Sequence, residues 1–125
     1  MNVFDASALL AFMNQEQGAE QVENALVEGG VCGAANWSET AQKVRQRGAD
    51  WGMARGLLLS YGLVVEPVTA ADAETAVQLW KPGSALSLGD RLCLAQGARL
   101  AATVWTADRA WGSSGTIRQI RDNTP

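Results

Sequence analysis

Short apolar runs alternate along the chain with longer stretches in which apolar positions recur every three or four residues. Runs of the first kind suit strands and stretches of the second suit amphipathic helices, so the alternation predicts an α/β domain around a mainly parallel sheet. Asn2-Val3-Phe4 reads as an opening strand. After Asp5, the Ser7 hydroxyl is placed to cap a helix whose Leu9, Leu10 and Met13 share one face. A second helix is expected over residues 19–28, stopped by Gly29-Gly30, and Val31-Cys32-Gly33-Ala34 is a brief second strand. Asn36 is the expected cap of a helix carrying Glu39, Ala41 and Val44, with Gly48 ending it. A further helix over residues 50–61 leads to the β-rich run Leu63-Val64-Val65, closed by Pro67. Thr69 and Asp72 form a capping-box pattern opening a helix that ends near Trp80, and Lys81-Pro82-Gly83-Ser84 is the clearest loop. Ser87 caps the helix that carries Leu92, Ala95 and Ala98. Ala102-Thr103-Val104-Trp105 forms a fourth strand ending at Thr106-Ala107-Asp108, and residues 117–120 suit a final edge strand.

The chain has 125 residues, which predicts one domain spanning 1–125, able to bury roughly two thirds of its unfolded surface without disulfide or metal staples. Its longest apolar stretches, such as Leu57-Leu58-Leu59, are far too short to span a membrane, and a cytoplasmic protein is expected. Cys32 and Cys93 are far apart and lack metal-knuckle or redox spacing, so buried free thiols are expected. The chain contains no histidine, which removes Ser-His and Cys-His nucleophile systems and imidazole-based zinc sites together. Catalysis must then run on carboxylates, hydroxyls, Arg, Lys or bound metal.

Four acids occupy related places in this pattern. In a parallel sheet built from right-handed crossovers, strand C-termini and helix N-termini share one edge, where ligand sites form. Asp5 follows the first strand, Glu39 is expected in the first helical turn after the second, Asp90 lies in the first turn of the helix before the fourth, and Asp108 follows the fourth. Carboxylates gathered within about 4–6 Å raise one another's pKa and repel, so such a group calls for cations. Hard divalent ions with oxygen ligands, Mg²⁺ or Mn²⁺, are the natural occupants, and hydrolysis of a phosphodiester is the natural chemistry. A net charge of −3 argues against a polyanionic substrate only on average. With four acids committed to cations the balance is slightly positive, and Lys43, Arg45, Arg47, Arg55, Arg91, Arg109, Arg118 and Arg121 cluster away from the acidic run Glu16, Glu20, Glu23 and Glu28.

The segments Val3-Phe4-Asp5-Ala6-Ser7-Ala8-Leu9-Leu10-Ala11, Asn36-Trp37-Ser38-Glu39, Leu86-Ser87-Leu88-Gly89-Asp90-Arg91-Leu92-Cys93-Leu94-Ala95 and Thr106-Ala107-Asp108-Arg109-Ala110-Trp111 together resemble the PIN-domain nucleases, in particular VapC-type toxins. The match runs in order over nearly the whole chain. The resemblance implies a three-layer α/β/α sandwich with a central mainly parallel sheet, Mg²⁺- or Mn²⁺-dependent cleavage of structured RNA, a homodimer, and inhibition by a small antitoxin. It assigns Asp5, Glu39, Asp90 and Asp108 to the acidic metal positions, with Ser7 and Thr106 as polar residues beside them and Arg91 and Arg109 as candidates for RNA phosphate contact. The chain departs from the pattern after Arg109: Ala110 and Trp111 stand where many relatives carry a further acid or amide, leaving Asp108 alone at the outer metal position.

Structural alternatives exist for each residue. Glu39 and Asp90 lie three residues after Asn36 and Ser87, where a carboxylate is favoured by free amides and the helix dipole alone. Asp5 and Asp108 also suit turns, and Ser7 suits a cap. A catalytically silent PIN-like binding module would use the acids only in these ways. Phosphoryl-transfer alternatives fit less well, because position 7 is Ser rather than the second acid of an Asp-x-Asp start and a receiver domain's adjacent acids and late lysine are absent.

Overall fold

A computed structural model describes residues 1–121 of the chain. Five parallel strands form one sheet in the order β3-β2-β1-β4-β5. The elements run β1 (Asn2–Phe4), α1 (Ala6–Met13), α2 (Ala19–Glu28), β2 (Gly30–Gly33), α3 (Ala34–Gln46), α4 (Trp51–Ser60), β3 (Val64–Glu66), α5 (Ala70–Gln78), α6 (Leu88–Arg99), β4 (Thr103–Thr106), a single 3-10 turn (Arg109–Trp111) and β5 (Ile117–Gln119). The expected strands and helices all form, in the expected order. The strand order reverses at β1, where the chain crosses from β2 and β3 on one side to β4 and β5 on the other. Open α/β sheets make their ligand crevices at such a switch point.

Alternation along the strands divides the core in two. Phe4 and Cys32 face one side with Leu9, Phe12, Val22, Leu26 and Leu58 from α1, α2 and α4. Val3, Val31 and Val104 face the other, against Cys93 and Trp111. Side chains of successive strand residues point to opposite faces, so each short strand feeds both cores and the layers form an α/β/α sandwich. The α6 helix approaches the sheet closely because it carries Gly97 opposite Val104, where an added methyl would collide. Fully buried Gln96 reaches both β3 and β2: its Nε2 donates to the carbonyls of Glu66 (3.4 Å), the last residue of β3, and of Pro67 (3.2 Å), and its Oε1 lies where a side chain on Gly33 of β2 would stand.

On the outer side of α6, α5 packs as an antiparallel partner. Arg91, at the start of α6, donates through Nη1 to the Ala76 carbonyl near the end of α5, at 3.0 Å. Arg99, at the end of α6, binds buried Asp72 at the start of α5, with Nε to Oδ1 at 2.8 Å, and reaches Glu66 as well. Asp72 also closes the expected capping box with Thr69. The Arg99 guanidinium holds its carboxyl below the ordinary range. Among the described residues no helix is long and apolar enough to cross a membrane.

Candidate active site

Asp5 is where sheet and helix meet. Its N–H still donates to the Trp105 carbonyl of the neighbouring strand, at 3.1 Å. Its side chain already caps α1, with Oδ1 accepting from the Ala8 N–H at 2.8 Å. No loop intervenes, and this corrects the expectation that Ser7 caps the helix. Ser7 lies inside the first turn, with its hydroxyl 2.8 and 2.9 Å from the two Asp5 oxygens. Thr106, at the end of β4, donates to Asp5 Oδ2 at 2.6 Å. Both hydroxyls are oriented from behind. The Ala107 N–H donates to Ser7 Oγ (2.8 Å) and the Asp108 N–H donates to Thr106 Oγ1 (3.0 Å), which turns each O–H toward the carboxylate. A buried acid is thereby fixed by three donors from two elements.

Burial decides its electrostatics. Asp5 is 4% exposed, and desolvation pushes its pKa from the ordinary 3.8 up to about 6, against the opposing pull of the hydrogen bonds from Thr106, Ala8 and Ser7. The charge of Asp90 pushes it further in the same direction. Asp90 is the third residue of α6 and closes a capping box with Ser87: its Oδ2 accepts from the Ser87 N–H at 2.9 Å and its own N–H donates to Ser87 Oγ at 3.1 Å. Asp90 Oδ1 has no hydrogen bond among the described residues.

Glu39 reaches the same place from another direction than expected. The chain passes from β2 into α3 without a loop, so Gly33 is the N-cap, Asn36 is inside the helix and Glu39 stands in its second turn. This corrects both the capping role expected for Asn36 and the first-turn position expected for Glu39. Asn36 is 1% exposed and donates through Nδ2 to the Gly89 carbonyl of α6 at 3.3 Å, while its Oδ1 has no partner among the described residues. That bond brings α3 against the start of α6, where a methyl added to Gly89 would meet Glu39 Oε1 at 3.9 Å. Glu39 pairs with Lys43 one turn on, at 3.5 Å. Asp5, Glu39 and Asp90 therefore surround one region, and all three charges push the buried Cys93 thiol up, after burial itself, the largest cause.

Asp108 stands two residues beyond Thr106, past the end of β4. It caps the 3-10 turn, accepting from the Ala110 N–H at 2.9 Å, and its own N–H donates to Thr106 Oγ1, the hydroxyl that donates to Asp5. It lines an open groove of about 700 Å³ with Ser7, Ala107, Arg109 and Arg121. Among the described residues no three His, Cys, Asp or Glu side chains converge as a ready-made metal cage. Of the two candidate arginines, Arg109 is exposed on the groove, and Arg91 is half-buried and donates through Nη1 to the Ala76 carbonyl of α5. No local pattern marks Asn36 for this role; its buried, half-satisfied amide joins the helices that carry two of the acids.

No curated protein matches the sequence. One solved structure that the chain resembles is a toxin–antitoxin complex from Klebsiella pneumoniae, with a TM-score of 0.76 at 16% identity over 98% of this chain and 99% of that one. Another is the crystal structure of Mycobacterium tuberculosis VapC20, a Sarcin–Ricin loop cleaving toxin, with a TM-score of 0.71 at 16% identity over 92% of this chain and 95% of that one. At this identity the likeness is one of fold. The family model described as the PIN domain matches residues 3–113, and the chain belongs to the PIN domain family.

Proposed function

We propose that the protein is a divalent-metal-dependent endoribonuclease and the toxin half of a VapC-type toxin–antitoxin pair. The observation that carries the reading is Asp5: a buried carboxylate, oriented by Ser7 and Thr106, raised toward neutrality by burial and facing the charge of Asp90. An acid so placed is costly to ionise, and a cation beside it removes the cost. The donors fit Mg²⁺ or Mn²⁺, which take hard oxygen ligands and commonly use only one or two carboxylates, completing their shell with water and substrate phosphate. Asp5 and the open oxygen of Asp90 would hold the ion, Glu39 would complete the inner group, and Asp108 would take the outer position on the groove. When bound, the ion supplies an activated water and a counter-charge for the phosphodiester. Ser7 and Thr106 keep the Asp5 oxygens aimed, as outer-sphere donors do for metal ligands generally. Arg109 contacts RNA phosphate.

The Klebsiella pneumoniae neighbour is a toxin–antitoxin complex and VapC20 is a Sarcin–Ricin loop cleaving toxin, which supports an antitoxin partner and an RNA substrate here. A homodimer in the cytoplasm completes the proposal. The test is cleavage of total bacterial RNA by the purified protein with Mg²⁺ or Mn²⁺, compared with EDTA and with Asp90→Asn. Metal-dependent cleavage that disappears in the variant is expected. A silent PIN-like binding module is the second reading, favoured by the oxygen that Asp90 and Asp108 each spend on a cap; absence of cleavage by folded, antitoxin-free protein across many RNAs would select it.

A further inference from the structure

Two grooves meet at Ser7. The first, beside Asp108 and Arg109, continues into a second of about 350 Å³ between α1 and α3, lined by Ser7, Leu10, Asn14, Glu16, Lys43, Gln46, Arg47 and Arg121. Ser7, Glu16 and Arg121 belong to both. The combined channel passes over the hydroxyl that orients Asp5 and, beyond Asp108 at its catalytic end, is lined by Arg109, Arg121, Lys43 and Arg47 and by one acid, Glu16, with Lys43 also paired to Glu39 at 3.5 Å. In a chain of net charge −3 this is a local concentration of cations, whereas Glu20, Glu23 and Glu28 lie on α2 outside it. The acid in the channel is spent on one of the cations: Arg121 Nη2 donates to Glu16 Oε1 at 3.2 Å, and both side chains are about two fifths exposed, at 40% and 43%. Glu16 is held in place by its backbone, its N–H donating to the Ala11 carbonyl (2.9 Å) and its carbonyl accepting from Ala19 (3.0 Å).

We propose that this channel is the path of a single RNA strand leading away from the cleavage centre, and that Glu16 occupies the phosphate position on Arg121 until the strand arrives. The proposal rests on the nuclease reading for the direction of the strand and on the charge pattern for its class of ligand. A row of separated cations suits a flexible polyanion better than a compact anion, because each phosphate neutralised releases condensed counterions. The ion pair with Glu16 is exposed and exchangeable, so a phosphate can replace the carboxylate at little cost. Displacement of Glu16 leaves a carboxylate beside the incoming strand, which sets a limit on affinity. Removing that charge therefore strengthens binding, an effect opposite in sign to removal of any cation.

The test is titration of a fluorescein-labelled, mixed-sequence single-stranded RNA of about 15 nucleotides, with the protein in EDTA so that nothing is cleaved, repeated over a range of NaCl. Each phosphate that a variant no longer neutralises lowers the slope of log K against log salt by about 0.7. Arg121→Gln and Arg47→Gln are expected to weaken binding about threefold to tenfold each and flatten the slope by that amount; Glu16→Gln is expected to tighten it about twofold to fivefold. Unchanged slopes in both arginine variants, or weaker binding by Glu16→Gln, would overturn the proposal. A polyglutamate peptide is titrated in parallel. If the variants alter its binding and leave RNA binding unchanged, the channel takes an acidic protein segment and the proposal fails. RNA binding with the expected slopes in a protein that never cleaves would uphold the channel and remove the nuclease reading; cleavage with unaltered slopes would do the reverse.

Discussion

Replacing Asp5 by Asn should stabilise the metal-free protein at neutral pH while abolishing the proposed metal-dependent cleavage. The carboxyl is raised from 3.8 to about 6 by burial, roughly two pH units at about 1.4 kcal/mol each, or about 3 kcal/mol. The sign follows from the direction of the shift. With the folded pKa above the unfolded one, the folded state holds its proton more tightly, so Asp5 favours the fold most below the unfolded value, and this contribution is lost as pH rises through about 6. Above that pH the wild type bears the whole cost of an ionised buried acid. Asn removes the charge and keeps the shape and the capping oxygen for Ala8. Its amide must donate to a hydroxyl that formerly donated, either Ser7 or Thr106, and this reorganisation reduces the gain to about 1–3 kcal/mol. For a domain of this size that is a rise in Tm of roughly 5–10 °C. Thermal or urea unfolding of both proteins in EDTA at pH 4 and at pH 7.5 measures it. The difference should grow across pH 4 to 6 and level off above. Mn²⁺ should stabilise the wild type and leave the variant unmoved. A variant less stable than wild type at pH 7.5, or a difference independent of pH, would refute the claim that Asp5 is a strained, desolvated anion.

Other parts of the structure give predictions of the same kind. Thr106→Val removes the 2.6 Å donor to Asp5 and should lower Mn²⁺ affinity about 10- to 100-fold, with the acid limb of the cleavage profile moving to higher pH. Gly33→Ala drives a methyl into Gln96 Oε1 and should cost about 1–3 kcal/mol in urea unfolding; combined with Gln96→Ala, the double variant should be more stable than the sum of the single losses by about 1 kcal/mol. Asp72→Asn breaks the pair with Arg99 and should cost about 1–3 kcal/mol. Because Asp72 is lowered in the fold, its contribution is present above the ordinary carboxylate pKa and lost as pH falls through the lowered value, so wild type and variant should converge in acid.

What could be read in advance and what could not divides along the range of the interactions. The strands, the helix over Ala19–Glu28 and the capping boxes at Thr69 and Ser87 are set by residues within a few positions of one another. Parallel topology follows from the alternation of these elements, and it places Asp5, Asp90 and Asp108 at the ends of strands and the start of a helix. Where the structure departs, a strand passes into a helix with no connecting loop. Asp5 is both the last residue to bond into the sheet and the first to cap the helix, so Ser7 is free to orient it. The same abrupt passage at Gly33 moves Asn36 and Glu39 one turn deeper into α3. Asn36 finds its partner 53 residues away at Gly89, Gln96 finds its own 30 away at Glu66, and Arg91 turns toward α5 because the two helices pack antiparallel. No local pattern encodes such pairings, and they decide which polar residues serve the site and which serve the scaffold.

The proposed function rests above all on Asp5 and Asp90 holding a divalent cation between them. Mn²⁺ binding, followed by electron paramagnetic resonance of the free ion, measures this directly in wild type, Asp5→Asn, Asp90→Asn and, as a control away from the site, Asp72→Asn. Saturable binding is predicted for the wild type and the control, abolished or weakened at least tenfold in the two site variants. Wild type that binds no Mn²⁺, or site variants that bind it as the control does, would contradict the assignment.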